Sequence, residues 1–230
     1  MPDKPFLPAR KVLQGFQSLL FPEICIMCEE KEGKICSACL KIWNQGPFRF
    51  RFQETYVMSA IPYGPQVSSI VLKAKEDRNS CARELIANAI YRALKYFLHY
   101  QSIDNFLLVP IPSSPQAIRR RGESFMHPIL KHVLKLASSN GTEWHWQELL
   151  RHRKKVRDQA GLSSEQRSAN LEGVFQLRTL ISVDLPIILV DDVVTTGSTL
   201  RNAILPLNER KMTVLGAVTA CASPHQLLIR

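Results

Sequence analysis

The 230-residue sequence lacks any apolar run of the roughly eighteen residues that a helix needs to span a bilayer. Its first residues also lack the apolar stretch of a secretory signal, and no internal repeat or low-complexity tract interrupts the chain. We therefore expect no membrane span and a location in the cytoplasm. The length suffices for one α/β domain with a small additional subdomain.

Acidic residues are fewer than basic residues. The chain has 20 Asp and Glu against 30 Lys and Arg, which gives a formal net charge of +10. This balance favours anionic ligands, either polyphosphates or nucleic acid, but it does not choose between them.

One stretch, residues 187–199, combines a buried strand with polar chemistry. It reads Ile-Ile-Leu-Val-Asp-Asp-Val-Val-Thr-Thr-Gly-Ser-Thr. Four consecutive apolar β-formers predict a central parallel strand that is buried on both faces. Asp191 and Asp192 follow where that strand is expected to end, and ligands bind at the carboxyl ends of strands in open α/β sheets. The acidic pair therefore offers acceptors for hydroxyl groups or for a metal.

The residues after the acidic pair predict an anion site. Short side chains at 195–199 let backbone N–H groups surround an anion, and Gly197 permits the positive φ that such turns often need. Apolar residues then recur at helical spacing, so the loop lies at a helix N-terminus, which favours phosphate. The alternative is an ordinary strand, loop and helix with a solvated acidic turn.

Four of the six cysteines form two Cys-x-x-Cys pairs. Cys25 and Cys28 are separated by seven residues from Cys36 and Cys39. Four thiolates at this spacing predict a closed structural Zn²⁺ site, and a cytoplasmic location argues against two disulfides. Redox-active pairs are the alternative.

The remaining segments alternate between strands and helices. Strands are predicted at 56–63, 106–112, 174–177 and 213–220, and helices at 67–73, 82–97, after Pro128 and at 198–209. The alternation predicts an α/β fold with a doubly wound, mostly parallel sheet in residues 51–230. Residues 1–50 are expected to form an amphipathic helix and the zinc-binding subdomain.

Two basic segments have two interpretations each. Arg119, Arg120 and Arg121 form an anion clamp if they face a pocket, and otherwise a solvated or nucleic-acid-facing surface. Residues 151–170 are basic and polar with little apolar surface, which predicts a mobile hood. Such a hood serves either as a lid that steadies an anionic leaving group or as an arm for nucleic acid.

Residues 187–199 resemble the phosphoribosyl pyrophosphate (PRPP) motif of the type I phosphoribosyltransferases over all their positions. In that family the acidic pair holds the ribose hydroxyls and the loop holds the 5-phosphate. The resemblance implies that Asp191 and Asp192 are the catalytic acidic pair. It also implies that PRPP is bound by Val193, Val194, Thr195, Thr196, Gly197, Ser198 and Thr199.

Nearly the full chain resembles the ComF (ComFC) competence proteins. The shared features are a four-cysteine knuckle after Leu-Leu-Phe-Pro, a Val-Pro-Ile-Pro with a downstream Arg-Gly, a Gln-x-Gly-Leu-Ser-x-x-x-Arg-x-x-Asn and the PRPP motif. The resemblance implies a zinc finger joined to a phosphoribosyltransferase-type domain. It adds Arg121 and Lys73 to the PRPP site, with Lys75 as the competing lysine. It also implies a hood that contains Arg153, Gln159, Arg167 and Asn170.

Two segments depart from the family pattern. Glu123, Ser124 and Phe125 stand where the family usually continues with Phe-Asn-Gln, and Val156 replaces a common threonine.

The resemblance implies a PRPP-binding, phosphoribosyltransferase-like protein that uses Mg²⁺ with PRPP and acts in natural competence. Its implied role is the cytoplasmic handling of imported single-stranded DNA, with that DNA or DNA-processing proteins as partners. Two alternatives remain: an inactive nucleic-acid-binding adaptor on the same fold, and a phosphoribosyltransferase of nucleotide salvage.

Overall fold

The computed structural model describes residues 23–153, 173–178 and 183–223. This part of the chain divides between residues 43 and 44 into two compact units, here called the cysteine unit (described residues 23–43) and the sheet domain (described residues after 43). The elements are α1 (Ser37–Trp43), β1 (Phe48–Phe52), β2 (Thr55–Pro62), α2 (Pro65–Glu76), α3 (Ser80–Gln101), β3 (Leu107–Pro110), α4 (Pro115–Arg121), α5 (Met126–Ser139), β4 (Leu150–His152), β5 (Phe175–Leu177), β6 (Ile187–Val194), α6 (Ser198–Asn208) and β7 (Val214–Ala222). Within the described ranges, no helix combines the length and apolarity needed to cross a bilayer.

The main sheet has five strands in the order β1-β2-β7-β6-β3. The last four are parallel neighbours, whereas β1 pairs with β2 in the antiparallel direction at one edge. This arrangement confirms the predicted α/β fold with a mostly parallel sheet.

Two strands differ from the sequence prediction. The edge strand β1 was not predicted, although its Phe-Arg-Phe-Arg-Phe alternation is typical of a strand with one buried face. The strand predicted at 174–177 is β5, which pairs with β4 in a separate antiparallel ribbon rather than in the main sheet. Arg151 and His152, assigned to the start of the mobile hood, therefore lie in a strand.

The longest helix, α3, forms where its apolar periodicity predicts it. Ile86, Ile90 and Leu94 repeat every four residues and are fully buried, so one face of the helix lies in the core. Its N-cap is Asn79, whose side chain accepts a hydrogen bond from the backbone N–H of Ala82 at 2.9 Å.

The centre of the core is the first half of β6. Ile187, Ile188, Leu189 and Val190 are fully buried, with β3 on one side and β7 on the other. Burial on both faces explains why these residues are continuously apolar rather than alternating. The core thus fixes in space the polar residues that follow in the same strand.

Candidate active site

The acidic pair lies within β6 at the point where its neighbour β3 stops. β3 pairs with β6 only as far as Pro110 opposite Val190, whereas β7 continues beside β6 to its end. Ile111 still donates its N–H to the Val190 carbonyl at 2.9 Å, but Pro112 has no N–H with which to continue. Asp191 and Asp192 therefore border a cavity where a strand would otherwise lie.

This cavity has a volume of about 300 Å³ and lies at the carboxyl end of the sheet. Its lining comes from four places: the end of α2, the segment after β3, α4 with the start of α5, and β6 with the start of α6. The sequence-predicted residues that it brings together are Asp191, Asp192, Val193, Thr199 and Arg121.

A lysine from α2 is ion-paired with the acidic pair. The Nζ of Lys75 lies 2.5 Å from Oδ2 of Asp192, whose side chain is almost completely buried. Oδ1 of Asp191 accepts a hydrogen bond from the backbone N–H of Asp192 at 2.9 Å. The two carboxylates thus differ in their partners.

Charges in the cavity perturb one another. Burial raises the pKa of Asp191 well above its ordinary value, and the neighbouring carboxyl of Asp192 raises it further, although the positive charge of Lys75 acts in the opposite direction. Burial acts to lower the pKa of Lys75, but the two carboxylates together raise it above its ordinary value. The lysine is therefore a permanent cation in this cavity near neutral pH.

A second cation, Arg121, lies in the same wall at the end of α4. Its side chain is only 7% exposed, and its nearest described carboxylate oxygen, on Glu76, is 3.8 Å away. Gly122 ends the helix in the left-handed conformation with a φ of 76°. The ring of Phe125 lies 5.8 Å from the guanidinium carbon of Arg121 and 5.4 Å from Nζ of Lys75. One aromatic ring thus supports both cations of the cavity.

The loop after β6 has the geometry of an anion-binding turn. Gly197 is the N-cap of α6 and has a φ of 73°. A Cβ at this position would lie 2.3 Å from ring atoms of Phe52 on β1, so both the backbone angle and the close contact require glycine. The hydroxyls of Thr196 and Ser198 lie 3.2 Å apart on the exposed side of the loop. The first turn of α6 therefore has hydroxyl groups beside its free N–H groups.

The structure favours Lys75 over Lys73 as the site lysine. Lys75 lines the cavity and contacts Asp192, while the lining does not include Lys73. Helix α2 explains the difference, because Lys75 continues the buried stripe of Val67 and Val71 at intervals of four residues. That periodicity is the signal by which the sequence could have distinguished the two lysines.

The three arginines at the end of α4 do not act together. Arg119 and Arg120 are exposed, and Arg120 pairs with Glu76 at 2.6 Å, so only Arg121 faces the cavity. Of the predicted hood residues, Arg153 lines a different cavity, at the β4–β5 ribbon. Gln159, Arg167 and Asn170, the Val156 position and the N-terminal amphipathic helix lie outside the described residues.

Some cavity residues were not singled out from the sequence as site residues. Ser113, Ser114 and Phe125 line the cavity, and Ser114 also caps α4 by accepting from the N–H of Ala117 at 3.2 Å. A cap of this kind is readable from Ser-Pro at a helix start. That the same turn faces the acidic pair depends on the pairing of β3 with β6, which local sequence does not encode.

The cysteine unit contains the second candidate site. The Sγ atoms of Cys25, Cys28, Cys36 and Cys39 all lie within 4.8 Å of one another, and none of these cysteines forms a disulfide. Tetrahedral Zn²⁺ with bonds of about 2.3 Å requires sulfurs roughly 3.8 Å apart. The backbone N–H of Cys39 also points to Sγ of Cys36 at 3.4 Å, as is favourable for a thiolate. The four sulfurs fit a metal ion.

Comparison with known proteins agrees with this geometry. Residues 117–228 match the family model of the phosphoribosyl transferase domain. This segment is therefore similar to phosphoribosyltransferase domains. The match spans just under half of the chain and includes Arg121, the acidic pair and the glycine loop.

Solved structures of two phosphoribosyltransferases are distant likenesses. Adenine phosphoribosyltransferase from Saccharomyces cerevisiae is 11% identical, with coverage of 78% of this chain and 85% of that one and a TM-score of 0.38. Hypoxanthine phosphoribosyltransferase from Staphylococcus aureus is 16% identical. The alignment covers 62% of this chain and 66% of that one, with a TM-score of 0.34. The comparison with curated proteins finds no match.

Proposed function

We propose that the active-site cavity binds PRPP with Mg²⁺, and that the protein acts in the cytoplasmic handling of imported single-stranded DNA during natural competence. The observation that carries the first part is the meeting of an acidic pair, two cations and a glycine-capped helix N-terminus around one cavity. A sugar with a phosphate at one end and a pyrophosphate at the other is complementary to this arrangement. The resemblance to ComF proteins supports the second part.

In this proposal each group has one task. The carboxylates of Asp191 and Asp192 accept hydrogen bonds from the ribose hydroxyls, and the backbone of residues 193–199 donates to the 5-phosphate. Lys75 and Arg121 attract the pyrophosphate. Mg²⁺ suits the oxygen-rich wall and substrate phosphates, and when bound with PRPP it supplies further positive charge to the leaving group.

Binding must displace an existing contact. Lys75 is already paired with Asp192, so an entering pyrophosphate competes with that carboxylate for the ammonium group. The exchange leaves the buried carboxylate of Asp192 without its cation, so in this proposal hydrogen bonds from the ribose hydroxyls replace the lost ion pair.

Calorimetric titration of PRPP with Mg²⁺ into the full chain tests the proposal. We expect binding to disappear in Asp191→Asn, Asp192→Asn double-substituted protein. Lys75→Met should weaken binding by about tenfold or more, whereas its matched control Lys73→Met, on the same helix, should change it less than about twofold. Undiminished binding by the double Asn variant would contradict the assignment of the cavity.

Two further measurements separate the alternatives. A screen of free bases with PRPP for pyrophosphate release detects a salvage enzyme and names its acceptor, whereas PRPP binding without release supports an adaptor. In a naturally transformable host, the double Asn variant should lower the transformation frequency. Wild-type transformation with that variant would show that a competence role does not depend on the acidic pair, and it would leave the assignment of PRPP to the unmodified chain unaffected.

For the four-cysteine cluster we propose structural Zn²⁺. The closed set of thiolates leaves no open coordination position for chemistry, so the ion's contribution is to folding. Metal analysis of the full chain should find about one zinc per chain.

A further inference from the structure

A second cavity, of about 330 Å³, lies between the β4–β5 ribbon and the end of α6. It shares no residue with the lining of the active-site cavity. Four arginines border it, namely Arg151, Arg153, Arg178 and Arg210, and we call it the arginine cavity. No function considered above accounts for this cluster as a unit.

The ribbon brings three of the arginines together by strand alternation. Leu150 and Phe175 turn one face of the ribbon into the core, so alternate residues face the other way. Arg151 and Arg153 lie on β4 and directly after it, and Arg178 follows β5 on the partner strand. All three are exposed, and α6 adds Arg210 from just beyond its C-terminus.

The lining of the cavity contains four arginines and one carboxylate, that of Glu209. Arg178 is paired with Glu148 at 2.8 Å, but among the described residues no carboxylate oxygen lies within 4.0 Å of Arg151, Arg153 or Arg210. With its amide oxygen turned toward Arg151, Gln176 accepts from the guanidinium at 3.0 and 3.2 Å. This neutral contact orients Arg151 without cancelling its charge.

A purely structural role explains one of the four arginines. A cation beside a helix C-terminus stabilises the helix dipole, and Arg210 is in that position. The dipole does not require three further guanidiniums on another element. The guanidinium of Arg153 lies beside Gly173, where an added Cβ would be 3.0 Å from the guanidinium carbon.

The arginine cavity is remote from the acidic pair although both touch α6. Thr199 in the first turn of α6 lines the active-site cavity, and Glu209 just past its end lines the arginine cavity. At about 1.5 Å per helical residue, the two positions are roughly 15 Å apart along the helix. The two cavities are therefore separate sites, and a ligand bound in one leaves the other open.

We propose that the arginine cavity is a second binding site, specific for the phosphate groups of nucleotides. Guanidinium groups bind phosphate through paired hydrogen bonds, and a cavity of this volume accommodates about one nucleotide. The phosphate ester comes either from a free nucleotide or from one unit of a single-stranded nucleic acid. This inference does not depend on PRPP binding.

The test compares charge-matched variants of the full chain. AMP is titrated by calorimetry, and a short fluorescein-labelled oligothymidylate by fluorescence anisotropy. We expect Arg151→Gln, Arg210→Gln protein to bind the recognised probe at least about tenfold more weakly than wild type. The control, Lys131→Gln with Lys135→Gln, removes two charges from exposed positions of α5 and should change affinity less than about twofold.

Each outcome decides one question. Tighter binding of AMP identifies a free nucleotide as the source, and binding of the oligonucleotide alone identifies nucleic acid. Equal affinities of the arginine and lysine variants, or no binding of either probe to wild type, would overturn the proposal. So would loss of binding in Arg121→Gln but not in the arginine variant, because the probe would then occupy the active-site cavity. Arg210→Gln alone, outside any helix or strand, repeats the test if the double variant melts early.

Discussion

The cysteine unit and the sheet domain differ in what surrounds their buried side chains. In the cysteine unit the described buried residues are three cysteines and Trp43, with only Met27 and Ile35 packed against the sulfurs. In the sheet domain most of the fully buried residues are Ile, Leu, Val and Ala from several strands and helices. The buried residues of the cysteine unit surround four sulfurs, whereas those of the sheet domain form an apolar core.

This difference shows which force orders each unit. Fixing one residue costs on the order of 1–2 kcal/mol of backbone entropy, which apolar burial repays only when the core is large. The described part of the cysteine unit lacks such a core, so we propose that a bound metal orders it. The sheet domain has the core, and its stability can support unfavourable features such as two adjacent carboxylates, of which Asp192 is buried.

The largest effect is expected from removing the metal. Cys36→Ser, or a strong chelator, should abolish metal binding and leave the amides of the cysteine unit unprotected, because zinc binding in finger peptides is worth about 10–16 kcal/mol. Hydrogen exchange with metal analysis measures both, with the amides of β6 as an internal reference. Cys81→Ser, outside the cluster, should retain the metal. If the amides of the cysteine unit stay protected in chelated protein, a metal is not what orders this unit.

An intermediate effect is expected from Gly197→Ala in the sheet domain. A positive φ costs alanine about 1–2 kcal/mol, and the contact with Phe52 adds about 1–3 kcal/mol, since that ring is itself buried. Gly141→Ala is the matched control, because its φ of 75° is similar but no atom lies within 4 Å of the added Cβ. Denaturant unfolding should show the larger loss at 197. Equal losses would mean that the Phe52 contact relaxes freely.

The smallest effect is expected from Asp191→Asn. Because the pKa of Asp191 is raised in the folded protein, its protonated form is favoured there, and its contribution to stability is lost as pH rises from the ordinary carboxyl range through the raised pKa. The Asn variant should be slightly more stable than wild type near neutral pH and show a flatter pH dependence.

Thermal unfolding without added Mg²⁺ or chelator, across the acidic to neutral range, checks this expectation for Asp191. Asp184→Asn, which changes an exposed carboxylate, is the control. A wild type that gains stability relative to the Asn variant with rising pH would contradict the sign.

Much of the candidate site was readable from local sequence because local forces decide it. Four apolar β-formers predict the buried strand, and the acidic pair and glycine loop follow in the same segment, so β6 and α6 were found together. The choice of Lys73 over Lys75 followed sequence similarity instead of helix periodicity, and the structure favours the other lysine. The strand β1 was missed although its five alternating residues are typical of a strand with one buried face.

The sequence by itself determined the two cysteine pairs, the central strand with its acidic pair, and the glycine at the start of α6. Each of these depends on residues within a few positions of one another, whose spacing and backbone preferences act locally. Only the tertiary structure decided that β3 stops beside the acidic pair, that Phe52 closes on Gly197, and that four arginines border one cavity. Those arrangements depend on strand order and register, which are set by packing between residues far apart in the chain.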